Sequence, residues 1–216
     1  MTRFVLAYAL ANAAAVTLAG AVTCGLQLDW LLGVAALAIA LATSQSALVR
    51  HVGARPLFWW PLTVAGVVAA TPLGFTAVYL LAVFLLGGAA ALGLPESLAG
   101  PLTLVVLTAP IALAGVVIAA AQSPALPRPR DPYLVPWFVS NALAGLLGAP
   151  ALENVLFHCY PTGITPPWFE ATPIGWIVTG VVAGALTGYV LARGRARAPA
   201  APARDDSDPG PQLAGT

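Results

Sequence analysis

The sequence predicts an all-α protein, a polytopic transmembrane helical bundle of about six spans, and three observations support this fold class. First, 59% of the 216 residues are hydrophobic and only 8% are charged, whereas a soluble domain needs more charge to cover its surface. Second, the apolar residues come in runs of about 20, the length that a helix needs to cross ~30 Å of hydrocarbon. Third, the basic residues, all arginine, fall only in every second gap between those runs.

The apolar runs also predict the domain organisation. We expect one transmembrane domain over residues 1–193 and a disordered cytoplasmic tail, rich in Pro and Ala, over 194–216. The third run, Leu57–Leu94, is too long for one upright helix. We prefer a long helix bent near Pro72–Gly74, and a helix plus a re-entrant segment or two short helices are the alternatives. The six predicted spans lie at about 4–22, 30–49, 57–86, 98–121, 134–152 and 174–192.

The charge distribution predicts how the chain is oriented. Arginine-rich loops stay in the cytoplasm, so an even number of spans places both the N-terminus and the C-terminus there. The opposite loops carry no arginine, and their acidic residues are Asp29, Glu96, Glu153 and Glu170. Abundant Ala, Gly and Pro without lysine indicate a high-GC bacterial genome. The predicted location is therefore the bacterial cytoplasmic (inner) membrane, with lipids as partners and no nucleic acid.

Two short segments of the chain repeat. Gln45 and Gln122, each followed by serine, close spans two and four at an offset of 77 residues. At the same offset Trp60 matches Trp137, and an arginine-containing linker, which begins at Arg50 in the first copy, separates each glutamine from its tryptophan. Matching segments an even number of spans apart predict parallel helical-hairpin repeats, in which each glutamine hydrogen-bonds to a neighbouring helix. The alternative is that these residues only mark the membrane interface.

The first copy carries a resemblance to a known group of proteins. Its motif residues are Gln45, Leu48, Val49, Arg50, Trp59 and Trp60. The motif resembles that of uncharacterised bacterial multi-pass membrane proteins, in which a glutamine near a helix end precedes a Leu-Val-Leu-Arg-like run and a Trp-led helix. The similarity covers about 33–74, and a second, weaker copy of the motif lies at 115–148. The chain departs from the group at Ser46-Ala47 and, in the second copy, in the Pro-rich segment 124–132. The resemblance implies a multi-pass architecture and no particular activity.

Span six contains three glycines at four-residue spacing, Gly180, Gly184 and Gly188. Glycines with this spacing form a groove that allows another helix to approach closely. We predict that the groove serves packing within the chain, against span one or span five. The alternative is an interface with a protein partner or with a second copy of the chain.

The loop between spans five and six holds the side chains best suited to chemistry. Carboxylates and an imidazole can act in acid–base catalysis, so Glu153, His158 and Glu170 are candidate residues of an enzymatic site on the outer face. Their spacing matches no catalytic or metal-binding motif, and we predict neither a metal nor a cofactor. Cys24 and Cys159 both fall on the outer side, where disulfides are stable, and can bond to each other.

The polar content of the spans bears on function. No Asp, Glu, Arg or His lies at the centre of a predicted span, which argues against ion-coupled transport. Without a catalytic motif or a soluble domain, the sequence favours a non-enzymatic subunit or accessory factor of a membrane assembly. The first alternative is a transporter or permeability element for a small neutral or apolar molecule, with Gln45 and Gln122 beside its path. The second alternative is a membrane enzyme that uses the outer loop 153–173.

Overall fold

The computed structural model describes residues 1–126, 131–156 and 173–196, and within these ranges the chain is helical and contains no strand. The prediction of an all-α helical bundle is therefore confirmed. The helices are α1 (Thr2–Gly25), α2 (Trp30–Val49), α3 (Pro56–Leu81), α4 (Gly88–Ala91), α5 (Ala99–Gln122), α6 (Asp131–Leu156) and α7 (Pro173–Ala196).

Five segments of the described chain are long and apolar enough to cross a membrane, which makes the protein a membrane-embedded bundle. They are Thr2–Gly25, Leu31–Val52, Pro56–Ala91, Ala99–Ala125 and Ile174–Gly194. The predicted span 134–152 falls in α6, whose described apolar stretch, Leu134–Leu147, is shorter. Helix α7 continues to Ala196, beyond the predicted end of the transmembrane domain, and residues 197–216 of the predicted tail lie outside the described residues.

The third predicted span is one continuous helix. Helix α3 runs through Pro72 to Leu81 and continues by way of a π-helical segment, Ala82–Gly87, into α4. The chain therefore remains helical as far as Ala91, whereas the predicted span ended at residue 86. Pro72, which has no backbone N–H to donate, does not end the helix. The change from α-helical to π-helical hydrogen bonding occurs further along, at Ala82–Gly87.

The six long helices form a closed ring. Along the chain α1 packs on α2, α2 on α3, α3 on α5, α5 on α6 and α6 on α7, and α7 packs back on α1. The short connections make α1–α2 and α3–α5 antiparallel hairpins, and α6–α7 is the third pair. The contact between α1 and α7, which joins the two ends of the described chain, is the most extensive of all.

One end of the ring holds the described arginines, and we call it the arginine end: Arg3, Arg50, Arg55, Arg193 and Arg195. A backbone hydrogen bond of 3.0 Å from Arg55 N to Ala125 O ties the α2–α3 connection to the end of α5. At the opposite end Asp29 caps α2, and its Oδ1 accepts a hydrogen bond of 2.9 Å from a backbone N–H of the first turn. The charged groups thus lie at the ends of the helices.

Aromatic side chains form the apolar core near the arginine end. Trp59 of α3 and Trp137 of α6 are fully buried and meet edge to face, with ring centroids 6.0 Å apart. Tyr8 of α1 and Leu191 of α7 belong to the same buried cluster. An edge-to-face pair adds about 0.5–1.5 kcal/mol beyond the burial of its area, so this cluster stabilises the contacts of several helices at once.

The three glycines of span six face α1 of the same chain. A Cβ at Gly184 would lie 2.8 Å from Ala9 Cα, and one at Gly188 would lie 3.1 Å from Tyr8 Cβ. A Cβ at Gly180 would overlap the backbone of α1 in the same way. The absence of side chains at these positions allows α1 and α7 to approach closely, and it closes the ring.

Candidate functional site

A cavity of about 160 Å³ lies inside the ring. All six long helices contribute to its wall, which is mostly apolar and includes Leu37, Val67 and Ile111. The polar side chains of the described wall are uncharged: Tyr8, Asn12, Gln45, Thr63, Gln122, Asn141, Thr179 and Thr187. An apolar cavity of about 150 Å³ in a soluble protein accepts benzene, so this cavity can hold a molecule of about that size.

Gln45 is the centre of a buried hydrogen-bond network beside the cavity. Its Oε1 accepts a hydrogen bond of 3.1 Å from Trp59 Nε1 and a longer one of 3.4 Å from Gln122 Nε2. Its Nε2 donates to Asn12 Oδ1 at 2.8 Å, and Asn12 Nδ2 donates to Tyr8 O at 2.8 Å. The network therefore links α1, α2, α3 and α5 through side chains that are all buried.

The direction of these hydrogen bonds is determined by the groups at both ends of the network. An indole N–H can only donate, so the Gln45 atom that it meets must be the oxygen. The remaining Gln45 nitrogen donates to Asn12, whose own nitrogen then meets a backbone carbonyl, a group that can only accept. Donors and acceptors thus alternate correctly from Trp59 to Tyr8.

Gln122 presents an unused acceptor to the cavity. Its Nε2 donates to Gln45 Oε1 and, at 2.9 Å, to Thr63 Oγ1, which uses both N–H groups of the amide. Its Oε1 accepts no hydrogen bond from the described residues. This oxygen is also accessible to the cavity and not fully buried. Among the described residues, every fully buried side-chain atom without a partner lies on α1 or α7.

Asn141 presents a second unused acceptor, on α6. Its Nδ2 donates to Trp137 O at 2.9 Å, while its Oδ1 accepts nothing from the part of the chain that the structure describes. Trp137 Nε1 in turn donates to Ala119 O of α5 at 3.1 Å. Asn141 lies beside Gly115, two turns of α5 from Gln122, or ~10 Å along the helix axis. The cavity wall therefore carries two free amide oxygens at different depths.

The two glutamines of the predicted repeat come together in the structure. Gln45 and Gln122, which end neighbouring hairpins, share the hydrogen bond described above although 77 residues separate them. Arg50, the arginine of the first linker, is exposed in a short 3-10 turn, Arg50–Val52, that follows α2. This hydrogen bond would form whether or not the two segments arose from one repeated unit. The internal repeat therefore stays a prediction.

The tryptophan that faces Trp137 is Trp59, whereas the repeat offset pairs Trp137 with Trp60. Trp60 is 40% exposed and donates a hydrogen bond of 3.2 Å to Thr43 Oγ1 on the ring surface. Asn12 was not predicted as a residue of the site, and Trp59 was predicted only as part of the motif that begins at Gln45. A carboxamide inside a long apolar run, as at Asn12, is the signal that could have identified a network member, because such a group needs a partner in the membrane interior.

Four buried polar atoms have no hydrogen-bond partner among the described residues: Oγ1 of Thr17, Thr23 and Thr179, and Nε1 of Trp176. All four lie on α1 and α7, in the halves of these helices away from the arginine end. Thr179 also lines the cavity. A buried polar group without a partner costs about 1–3 kcal/mol, so this part of the interior is less well satisfied than the network around Gln45.

The predicted outer-loop residues are mostly beyond the described chain. Glu153 lies in α6, while His158, Cys159 and Glu170 fall outside the described residues. Cys24, at the end of α1, is disulfide-bonded. Within the described ranges, no group of three His, Cys, Asp or Glu residues could hold a metal ion. An enzymatic site in the outer loop stays a prediction. Cys159 as the partner of Cys24 also stays a prediction, because Cys159 falls outside the described residues.

The chain matches no protein-family model, no curated protein and no solved structure. The resemblance of the Gln45–Trp60 motif to bacterial multi-pass proteins therefore stays a prediction. Fold and site together define the class: a membrane-embedded helical ring whose interior cavity is lined by apolar and neutral polar side chains.

Proposed function

We propose that the protein is a membrane carrier or permeability element for a small neutral molecule, which binds in the cavity inside the ring. The observation that carries this proposal is the cavity of about 160 Å³, whose wall comes from all six long helices. Transporters commonly bind their substrates between structurally related helical units near the middle of the membrane. The location of the cavity between the three helix pairs supports such a role.

The chemistry of the wall favours a neutral ligand. An ion inside a low-dielectric protein needs an opposite charge or a dense set of ligands, and the described wall contains no charged side chain. Apolar side chains suit an apolar body, while a few polar groups orient the polar part of a ligand. Here Gln122 and Asn141 supply such groups.

We also propose an orientation in which the arginine end faces the cytoplasm of a bacterium. Loops rich in Lys and Arg remain on the cytoplasmic side. Arg50 and Arg55 lie between α2 and α3 at this end, and Asp29 lies at the other. Cysteine labelling from outside intact cells tests the orientation: a cysteine replacing His51, which is exposed in the turn after α2, should remain unlabelled by a membrane-impermeant reagent, and strong labelling would contradict it.

A flux assay tests the proposed function. Purified protein is reconstituted into liposomes, and stopped-flow light scattering follows the entry of three slowly permeating neutral solutes: glycerol, urea and propane-1,2-diol. We expect faster entry of at least one solute than into protein-free liposomes. If each of the three solutes enters liposomes with and without the protein at the same rate, the permeability function is contradicted.

A matched pair of variants ties the flux to the cavity. Ala114 lines the cavity and Ala109 of the same helix is exposed on the ring surface. Ala114→Leu should fill part of the cavity and abolish the additional flux, whereas Ala109→Leu should leave it unchanged. Loss of flux in both variants, or in neither, would contradict a path through the cavity.

The structure also favours a second candidate function, that of an accessory subunit. The helix Pro56–Ala91 has 36 residues, or ~54 Å of length, which exceeds the ~30 Å hydrocarbon thickness. Its most apolar stretch contains no buried residue, unlike the other four candidate spans. Tyr79 and Phe84 on this helix are 67% and 71% exposed. We propose that this surface, and not the glycine groove occupied by α1, would contact a protein partner.

Photocrosslinking separates lipid contact from protein contact on this surface. A photoreactive amino acid at Phe84 should form an adduct of one defined mass in native membranes, and the same amino acid at Leu18, which is 60% exposed on α1, serves as the control. No protein adduct at Phe84, or identical adducts at both positions, would contradict the accessory function.

A further inference from the structure

We infer that the ligand of the cavity is a neutral hydrogen-bond donor, a small alcohol or phenol, which donates to Gln122 Oε1 or Asn141 Oδ1. This inference rests on the proposed function, because it names the class of molecule that the same cavity takes. It adds a chemical requirement that size and apolarity alone do not impose.

The pairing of the four interior carboxamides carries the inference. Asn12 and Gln45 each use both their oxygen and their nitrogen within the protein. Gln122 and Asn141 use their nitrogens, but their oxygens accept no hydrogen bond from the described residues. Every interior amide nitrogen thus has at least one partner, although only Gln122 uses both of its N–H groups. The two amide atoms without any partner are oxygens.

A ligand that donates a hydrogen bond removes this imbalance. An unpaired acceptor away from water is unfavourable, and a hydroxyl group placed against it supplies the missing donor. A molecule that only accepts would leave the oxygen unpaired and place two electronegative atoms together. The apolar part of the ligand would then contact side chains such as Leu37 and Ile111.

The absence of charge in the described cavity wall further restricts the chemical class of the ligand. An ammonium group is also a donor, but it would place a positive charge in a cavity whose described wall holds no carboxylate. The energetic cost of an unpaired buried charge is much larger than that of an unpaired amide oxygen. The donor that fits is therefore uncharged, and the cavity volume of about 160 Å³ limits the body to roughly one six-membered ring.

Three probes that share a benzene ring and differ in its substituent test this inference on the wild-type protein. Phenol carries a hydroxyl group, anisole replaces it by a methyl ether that only accepts, and benzene has neither. The melting temperature of the purified protein in detergent is measured against the concentration of each probe, and the response of the blocked variant Ala114→Leu is subtracted as the effect of the solvent.

We expect phenol to bind about tenfold more tightly than anisole or benzene, the ratio that one additional net hydrogen bond gives. If anisole or benzene binds as tightly as phenol, the donor requirement is wrong while the cavity remains a binding site. If no probe changes the wild-type protein more than Ala114→Leu, the binding site of the proposed function is itself contradicted.

Two variants identify the acceptor atom. Gln122→Met and Asn141→Leu each remove one free oxygen at similar volume, and at least one of them should reduce the preference for phenol over anisole below about threefold. Ser46→Ala is the control, because the Ser46 hydroxyl only donates to Thr43 O within α2. An undiminished preference in both variants would overturn the assignment to these oxygens. Should a variant not fold, the comparison of probes on the wild-type protein still decides the ligand class.

Discussion

The two halves of the ring interior differ in how their polar groups are paired. Near the arginine end, Gln45 joins Trp59, Gln122 and Asn12 in a network of hydrogen bonds between 2.8 and 3.4 Å. In the opposite halves of α1 and α7, Thr23 and other buried polar groups have no partner among the described residues. Helices α1 and α7 run through both halves, so the difference lies along the length of the same two helices.

This difference shows where the bundle is held together by specific polar contacts. In a membrane, packing and interhelical hydrogen bonds replace the hydrophobic effect as the main attraction between helices. The network half has both kinds of contact, while the opposite half relies on packing, as where Trp176 lies against Gly20. We therefore expect substitutions to be most harmful in the network half, and removal of a polar group to be tolerated in the other.

The largest expected effect comes from filling the contact between α1 and α7 next to the network. A Cβ at Gly184 would lie 2.9 Å from Asn12 Cβ and 2.8 Å from Ala9 Cα, so Gly184→Leu must separate the helices. We expect a loss of about 3 kcal/mol or more in SDS-induced unfolding in mixed micelles. The control is Gly100→Leu, because no atom lies within 4 Å of a Cβ there; equal losses would contradict the close approach.

Removal of the central amide should have the next largest effect. Gln45→Leu leaves Trp59 Nε1 and Asn12 Oδ1 without their partners, and we expect a loss of about 2–3 kcal/mol in the same unfolding measurement. Ser46→Ala, the next position in α2, should change the stability by less than about 0.5 kcal/mol. A Gln45→Leu protein as stable as the wild type would show that the network contributes nothing.

A pair of tryptophan substitutions compares the two halves directly. Trp59→Phe removes the hydrogen bond to Gln45 and should cost about 1–2 kcal/mol. Trp176→Phe removes an N–H that has no partner in the described chain, so it loses only the packing of the missing ring atoms and should cost about 1 kcal/mol less than Trp59→Phe. Thermal unfolding followed by circular dichroism measures the stability of both variants. A larger loss for Trp176→Phe than for Trp59→Phe would contradict the expected difference between the two halves.

The smallest expected effect has the opposite sign. Thr179→Val keeps the shape of the side chain and removes an unpaired hydroxyl, so the protein should be stabilised by up to about 1 kcal/mol. Thr187 lies on the same helix, and its hydroxyl donates to Ala183 O at 2.9 Å. Thr187→Val should therefore not stabilise the protein, and a gain equal to that of Thr179→Val would show that pairing is not the cause.

Much of the fold could be predicted from the sequence because membrane helices are recognisable from length and hydropathy. The helix α2 was predicted at residues 30–49 and is observed at Trp30–Val49, with Asp29 as its cap. The continuation of α3 beyond residue 86 could not be predicted, since a long apolar run contains no signal for its end and the π-helical segment at Ala82 has no distinctive sequence.

The site was less predictable than the fold. The two glutamines were identified as groups that bond to neighbouring helices, but their mutual contact depends on the three-dimensional order of the hairpins. Trp59 and Trp60 are adjacent in the sequence, and only the rotation of α3 decides which one is buried. An all-apolar helix does not reveal that rotation, because apolar residues cover its whole circumference. The cavity depends on six helices together and has no local signature.

The most direct test of a ligand site inside the ring is a crystal structure of the protein soaked with 4-bromophenol, with the bromine located by its anomalous scattering. We predict a bromine peak inside the ring, with the phenol oxygen within hydrogen-bond distance of Gln122 Oε1 or Asn141 Oδ1, and no peak there in Ala114→Leu crystals. Bromine peaks found only on the outer, lipid-facing surface of the helices would contradict a ligand site in the cavity.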